Sequence, residues 1–230
     1  MNISNSNFVK NQIKFFKINE KPDGFKSLKE LRNQSIDVEK FNQNLIENWK
    51  LTKEDCKGDP NSRWIKFQNT FSMTDDLKWY KPVFKEIFNE VMNSLIEDNV
   101  QYLETNVPLG NLYDLDKKYT EEEHVNEFFK LNENFVSKNE NNFFGMKLIH
   151  ETYRIFNTKE VKKHMNLSIE LQKKFKNFIV GFDLVGQEDH ENAFDTKHYM
   201  KDILKIINKS KREGIEFKFR FVKRKKFNFF

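Results

Sequence analysis

The residues 178–189, Phe-Ile-Val-Gly-Phe-Asp-Leu-Val-Gly-Gln-Glu-Asp, pass from an apolar run straight into a glycine and two carboxylates. Phe178 to Val185 reads as a buried strand and Gly186 to Asp189 as the polar turn after it. A strand that surfaces in this way is a common place for a binding or catalytic group. Glu188 and Asp189 could act as an acid and a base only if their surroundings pushed their pKa values apart. Their sequence context offers no such surroundings, and adjacent loop carboxylates are ordinarily solvated or cap a helix. Asp183, inside the apolar run, needs a partner if it is buried. His150 and Glu151 end a second apolar run, at the strand end where β/α barrels place their sites, and a lone histidine there is ordinarily a structural, hydrogen-bonded residue. The five histidines, His124, His150, His164, His190 and His198, are far apart in sequence. His190 and His198 do not share a helix face, and no acidic residue completes a ligand set. No metal site and no catalytic residue is assigned on these grounds.

The elements that must position these residues follow from hydrophobic periodicity. Residues 1–35 are polar and lysine-rich, with a turn signal at Lys21-Pro22-Asp23-Gly24, and are expected to be loosely structured. Ile36, Val38, Phe41, Leu45 and Trp49 recur at helical spacing. A loop with Gly58 and Pro60 precedes a short amphipathic helix marked by Trp64, Phe67 and Phe71. Pro82 suits a first helical position, and Val83, Ile87, Val91 and Leu95 share a face, with Phe84, Phe88, Met92 and Ile96 beside it. Strands are predicted from Val100 to about Thr105, from Gly145 to His150, over 178–185, and over Ile215, Phe217, Phe219 and Phe221, which alternate with charged residues. Between them fall three helices. One is started by the Thr120–Glu123 capping box, one is capped by Thr158, and one covers roughly 195–208.

Alternation of strand and helix implies parallel βαβ units, because a parallel neighbour requires a crossover. The fold class is therefore α/β, an open sheet or part of a barrel, since four strands are too few for a closed eight-stranded one. With 25 Phe at a mean hydropathy of −0.80, an aromatic interior lies under a charged surface. The 7 Gly and 4 Pro argue against a turn-rich sandwich or propeller. Cys56, the single cysteine, excludes an internal disulfide and a cysteine zinc site. No apolar run approaches the roughly 18 residues of a membrane span, and the N-terminus lacks a signal-peptide pattern, so the chain as written is expected to be cytoplasmic. The net charge of +5 is concentrated late, in Lys223 to Lys226. Basic residues among phenylalanines can bind nucleic acid, but an extension without that role is the preferred reading of this tail.

Four segments in order, Glu97–Thr105, Tyr113–Thr120, Gly145–Arg154 and Gly181–Glu191, resemble the adenosine-deaminase-related growth factors, the secreted type of adenosine deaminase. Arg63–Phe71 and Tyr80–Phe88 resemble the segment before that family's second barrel strand, and Glu20–Arg32 the end of its inserted domain. The similarity covers about residues 20–205. It implies a zinc hydrolase on a (β/α)8 TIM barrel that deaminates adenosine to inosine. There zinc would lower the pKa of a bound water, and a glutamate and a histidine would move the protons.

The resemblance assigns Gly186 and Trp64 to substrate binding. The glycine would offer its N–H to the purine, and the tryptophan would border the nucleoside pocket. The family's His-x-His and His-Ala-Gly-Glu motifs are absent. The expectation is a partial barrel of about strands 2 to 4 or 5 over residues 36–222, preceded by a helical segment and a remnant of the inserted domain in 1–35, and followed by a basic aromatic tail, 223–230. Such a chain is expected to bind no zinc and to be catalytically incomplete. The alternatives are a partial gene model of an active extracellular deaminase and a non-catalytic interaction protein that binds a full-length relative. Adenosine is the family substrate. A dimer with itself or with such a relative is a further expectation, whereas membrane and nucleic acid are not expected partners.

Overall fold

A computed structural model describes residues 2–4, 13–188 and 193–220. The chain divides into two compact units. The first comprises residues 1–92 and 111–119, the second residues 93–110 and 120–230.

In the first unit, β1 (Asn2–Ser4) pairs antiparallel with β2 (Ile13–Lys14) and β3 (Phe25–Ser27). The helices α1 (Leu28–Gln34), α2 (Val38–Glu47) and α3 (Pro60–Lys78) follow. Each starts at a side-chain cap: Ser27 accepts from Glu30 N, Asp37 from Lys40 N, and Asp59 from the amides of Asn61 and Ser62. Residues 13–34, expected to be loosely structured, are instead built around buried Ile13 and Leu28, against which Phe41, Leu45, Trp49 and Leu77 pack. Leu31 of the same stretch joins them, and partners further along the chain supply the rest of the core. Pro60 lies at the start of α3 and not in a loop, and that helix is 19 residues long rather than short. In α4 (Lys81–Glu97) the buried stripe is Phe84, Phe88 and Met92, while Ile87 and Val91 are exposed. The core thus takes the row with the larger side chains, one position on from the row the periodicity favoured.

The second unit is a run of βα units. They are β4 (Tyr102–Val107), α5 (Glu121–Lys138), β5 (Gly145–Tyr153), α6 (Thr158–Lys174), β6 (Ile179–Val185) and α7 (Thr196–Arg212). All three strands are parallel, in the order β4-β5-β6, as the α/β reading requires. The Thr120 capping box on α5 is present. For α6 the cap is Asn157 and not Thr158, because Glu160, three residues after Asn157, closes the box with it. The predicted strand 215–221 is, among the described residues, a single parallel bridge from Phe219 to Phe182. There Phe182 N donates to Lys218 O and Arg220 N to Phe182 O, each at 2.9 Å. Phe221 and the tail 223–230 lie outside the described residues.

The helix side of this sheet is the core. Phe182 and Leu184 of β6 meet Val161, Met165 and Ile169 of α6 and Tyr199, Ile203 and Ile206 of α7. Side chains three or four apart on each helix stack on one face, and alternate residues of the strand supply the other half. Ile169 is fully buried, so Ile169→Ala is expected to cost about 2–5 kcal/mol, measured as a drop in the free energy of urea unfolding at constant m-value.

Candidate functional site

Alternation in a strand sends successive side chains to opposite faces, and in the second unit the two faces differ sharply in chemistry. On one, His150 and Phe182 pack into the apolar layer under α6. On the other lie Glu104, Asn106, Lys147, Glu151 and Asp183. A register shift at Leu148/Ile149 brings Ile149 opposite Gly181 and Glu151 opposite Asp183. Gly181 leaves the centre of this face without a side chain, and a β-carbon there would make only ordinary contacts, 3.6 Å from the Ile149 side chain and 3.5 Å from Lys218 O.

Asp183 is 4% exposed. Its Oδ2 accepts from Asn106 Nδ2 at 2.8 Å, and its Oδ1 from Leu184 N at 2.8 Å. Arg220 Nη1 donates to Asn106 Oδ1 at 3.3 Å. A cation, an amide and a carboxylate thus link β4, β6 and the segment after α7 near the C-terminal ends of the strands, where β/α barrels place their chemistry. The partner that buried Asp183 needed is Asn106, 77 residues earlier.

Gly186 closes β6 with φ +112°, a backbone conformation that side-chain-bearing residues rarely adopt. Arg154, at the end of β5, lies beneath it. Arg154 Nη2 donates to Leu184 O at 2.7 Å and pairs with Glu188 Oε1 at 3.0 Å. Arg154 N donates to Val185 O, and Arg154 O accepts from Phe194 N and from Tyr199 Oη. Glu188 is therefore ion-paired with a buried arginine, neither one of two solvated loop carboxylates nor a helix cap. The reason is tertiary: its cation comes from the previous strand. Asp189 and His190 lie outside the described residues.

His150 does not reach this face. Its ring meets Phe182 at 5.4 Å and His164 at 5.5 Å between centroids. Burial, aided by nearby His164, drives its pKa down to about 3, so it is a neutral imidazole of the core. Its Nδ1 has no hydrogen-bond partner, and aromatic packing holds it in place of the hydrogen bonding expected. The strand also runs three residues past it, to Tyr153. His124 in α5 stacks on Phe128 at 5.2 Å, and burial lowers its pKa to about 4. His198 stacks on Phe194 at 4.2 Å. Among the described residues no three His, Cys, Asp or Glu side chains converge on a point that could hold a metal.

Trp64 lies in α3 of the first unit, half-buried and tilted against Phe67 at 5.3 Å, while Gly186 belongs to the second. The sequence reading missed Asn106, Arg154 and Arg220. Arg154 ends one of the motifs quoted for the resemblance and Asn106 directly follows another, and that position was the available signal. No helix among the described residues is long and apolar enough to cross a membrane.

No family model matches the chain. Among curated proteins it is 39% identical over 127 residues to an adenosine deaminase of Aedes albopictus, covering 55% of this chain and 24% of that protein. It is 34% identical over 151 residues to an adenosine deaminase of Lutzomyia longipalpis, with coverages of 65% and 29%. To adenosine deaminase 2 of Homo sapiens it is 27% identical over 193 residues, with coverages of 82% and 36%. The chain thus spans about a quarter to a third of the length of these relatives. Among solved structures, Arabidopsis ADAL in complex with IMP superposes with a TM-score of 0.49 at 16% identity, over 85% of this chain and 53% of that one.

Proposed function

We propose that this chain, similar over much of its length to adenosine deaminases, belongs to their family, and that its second unit is an arc of a deaminase barrel whose polar face lines a purine nucleoside pocket. One observation carries the reading: a positive-φ glycine ends a parallel strand beside a buried, fully engaged carboxylate. With no side chain at Gly186, a flat base can approach the backbone closely, and the amide of the turn can donate to a ring nitrogen of the purine. Asn106, Asp183 and Arg220 hold the strand ends in register beneath it.

In the proposed whole enzyme, zinc would activate water for attack on the purine. The donors among the described residues of this chain do not fit a zinc site, because the buried histidines lie in the helix layer and no three ligands converge. No step here runs through the metal. The role proposed for this chain is to bind and orient the base, with the metal and the acid–base groups supplied by parts of the relatives that the match does not cover. Zinc content and inosine formation measured on the purified chain test this. The expected result is well below one zinc per chain and no turnover. Deamination that survives purification and disappears with a chelator would contradict it.

A further inference from the structure

We propose that Arg154 is a positioning residue that sets the direction of the Gly186 amide, an inference that rests on the pocket reading above. A turn with one glycine at positive φ is locally permissive, so something else must select its conformation. Arg154 touches the turn at three points. Its Nη2 uses one hydrogen on Leu184 O, two residues before the glycine, and is paired at 3.0 Å with Glu188 Oε1, two residues after it. Its backbone N–H binds Val185 O at 2.9 Å. Its Cγ lies 3.7 Å from where a β-carbon on Gly186 would stand. The arginine is itself 7% exposed and held from behind, since its carbonyl accepts from Tyr199 Oη at 2.8 Å and from Phe194 N at 3.1 Å. A single nitrogen that holds both shoulders of the turn leaves the amide between them one direction to face.

Lysine keeps the charge but not the planar head whose Nη2 serves both shoulders at once. The test is amide hydrogen exchange and chemical shift at Gly186 and Gln187 in the isotope-labelled 230-residue chain, compared among wild type, Arg154→Lys, Arg154→Gln and Glu188→Gln. The expected result is exchange at Gly186 faster by about tenfold or more in both Arg154 variants, and by less in Glu188→Gln, which retains the bond to Leu184 O. Ile169→Ala serves as the control for general loss of stability, with Gly186 exchange rising no more than the global opening does. Unchanged exchange and shifts at Gly186 in a folded Arg154→Lys or Glu188→Gln chain would overturn the proposal, as would a rise no larger than in the control. If Arg154→Gln fails to fold, the other two variants decide. A separate adenosine titration keeps the two ideas apart. Absence of binding to the wild type counts against the pocket, whereas the exchange data, taken without ligand, count only for or against Arg154.

Discussion

Lowering the pH from 7 to 4 is expected to remove several kcal/mol of stability, most of it through His150 and His124. Burial holds their pKa values at about 3 and about 4 in the folded chain, against 6.5 unperturbed. Above 6.5 both states carry neutral imidazoles and nothing is lost. As the pH falls below 6.5 the unfolded chain takes up protons that the folded chain refuses, so stability drops until the folded pKa values are reached. At about 1.4 kcal/mol per unit, each group forfeits about 3 kcal/mol by pH 4. Even at half that sum the loss is a large part of a typical 5–15 kcal/mol. His164, also lowered by burial, sits beside His150 with Lys163 opposing its protonation and Glu121 and Glu160 favouring it, and adds to the same trend. Urea unfolding at pH 7, 5 and 4 checks this against a His150→Phe, His124→Phe double variant, in which most of the pH dependence between 6.5 and 4 should vanish. An equal fall in both proteins would show that other groups control acid stability.

The second large effect concerns the contact between β4 and β6. Asn106→Leu leaves buried Asp183 without the 2.8 Å donor to its Oδ2 and should cost about 2–3 kcal/mol, since a hydrogen bond to a buried charge is lost and not replaced. Asp183→Leu alone strands the Asn106 amide at smaller cost. The double variant removes both polar groups and should be less destabilised than the two single changes summed. The coupling in this double-mutant cycle is expected to exceed about 1 kcal/mol. Additive costs would mean that the bond contributes nothing of its own.

What could be read without the structure was what is written locally. The Thr120–Glu123 box lies within one turn, so α5 starts where expected. The run 178–185 is apolar but for Asp183 and is followed by a glycine, so β6 and its turn were legible as well. Asn157 and Thr158 are both good caps, and only the position of Glu160 separates them. The strand at 215–221 had the right alternation, yet strand length depends on a neighbour's backbone and not on its own pattern. Asn106 with Asp183, and Arg154 with Glu188, are 77 and 34 residues apart, and nothing in either local sequence announces its partner. Residues 13–34 misled for a related reason: the stretch is rich in lysine and polar residues, and the core around its Ile13 and Leu28 is completed by Phe41, Leu45, Trp49 and Leu77 further along the chain.

The most direct test of the pocket reading is titration of the isotope-labelled chain with adenosine, followed through its amide resonances, with uridine as the control nucleoside. The proposed pocket predicts saturable shifts centred on Gly186 and Gln187, spreading to Asn106 and Asp183, and absent with uridine. Shifts that never saturate, or that cluster on the helix side of the sheet around His150 and His164, would contradict it.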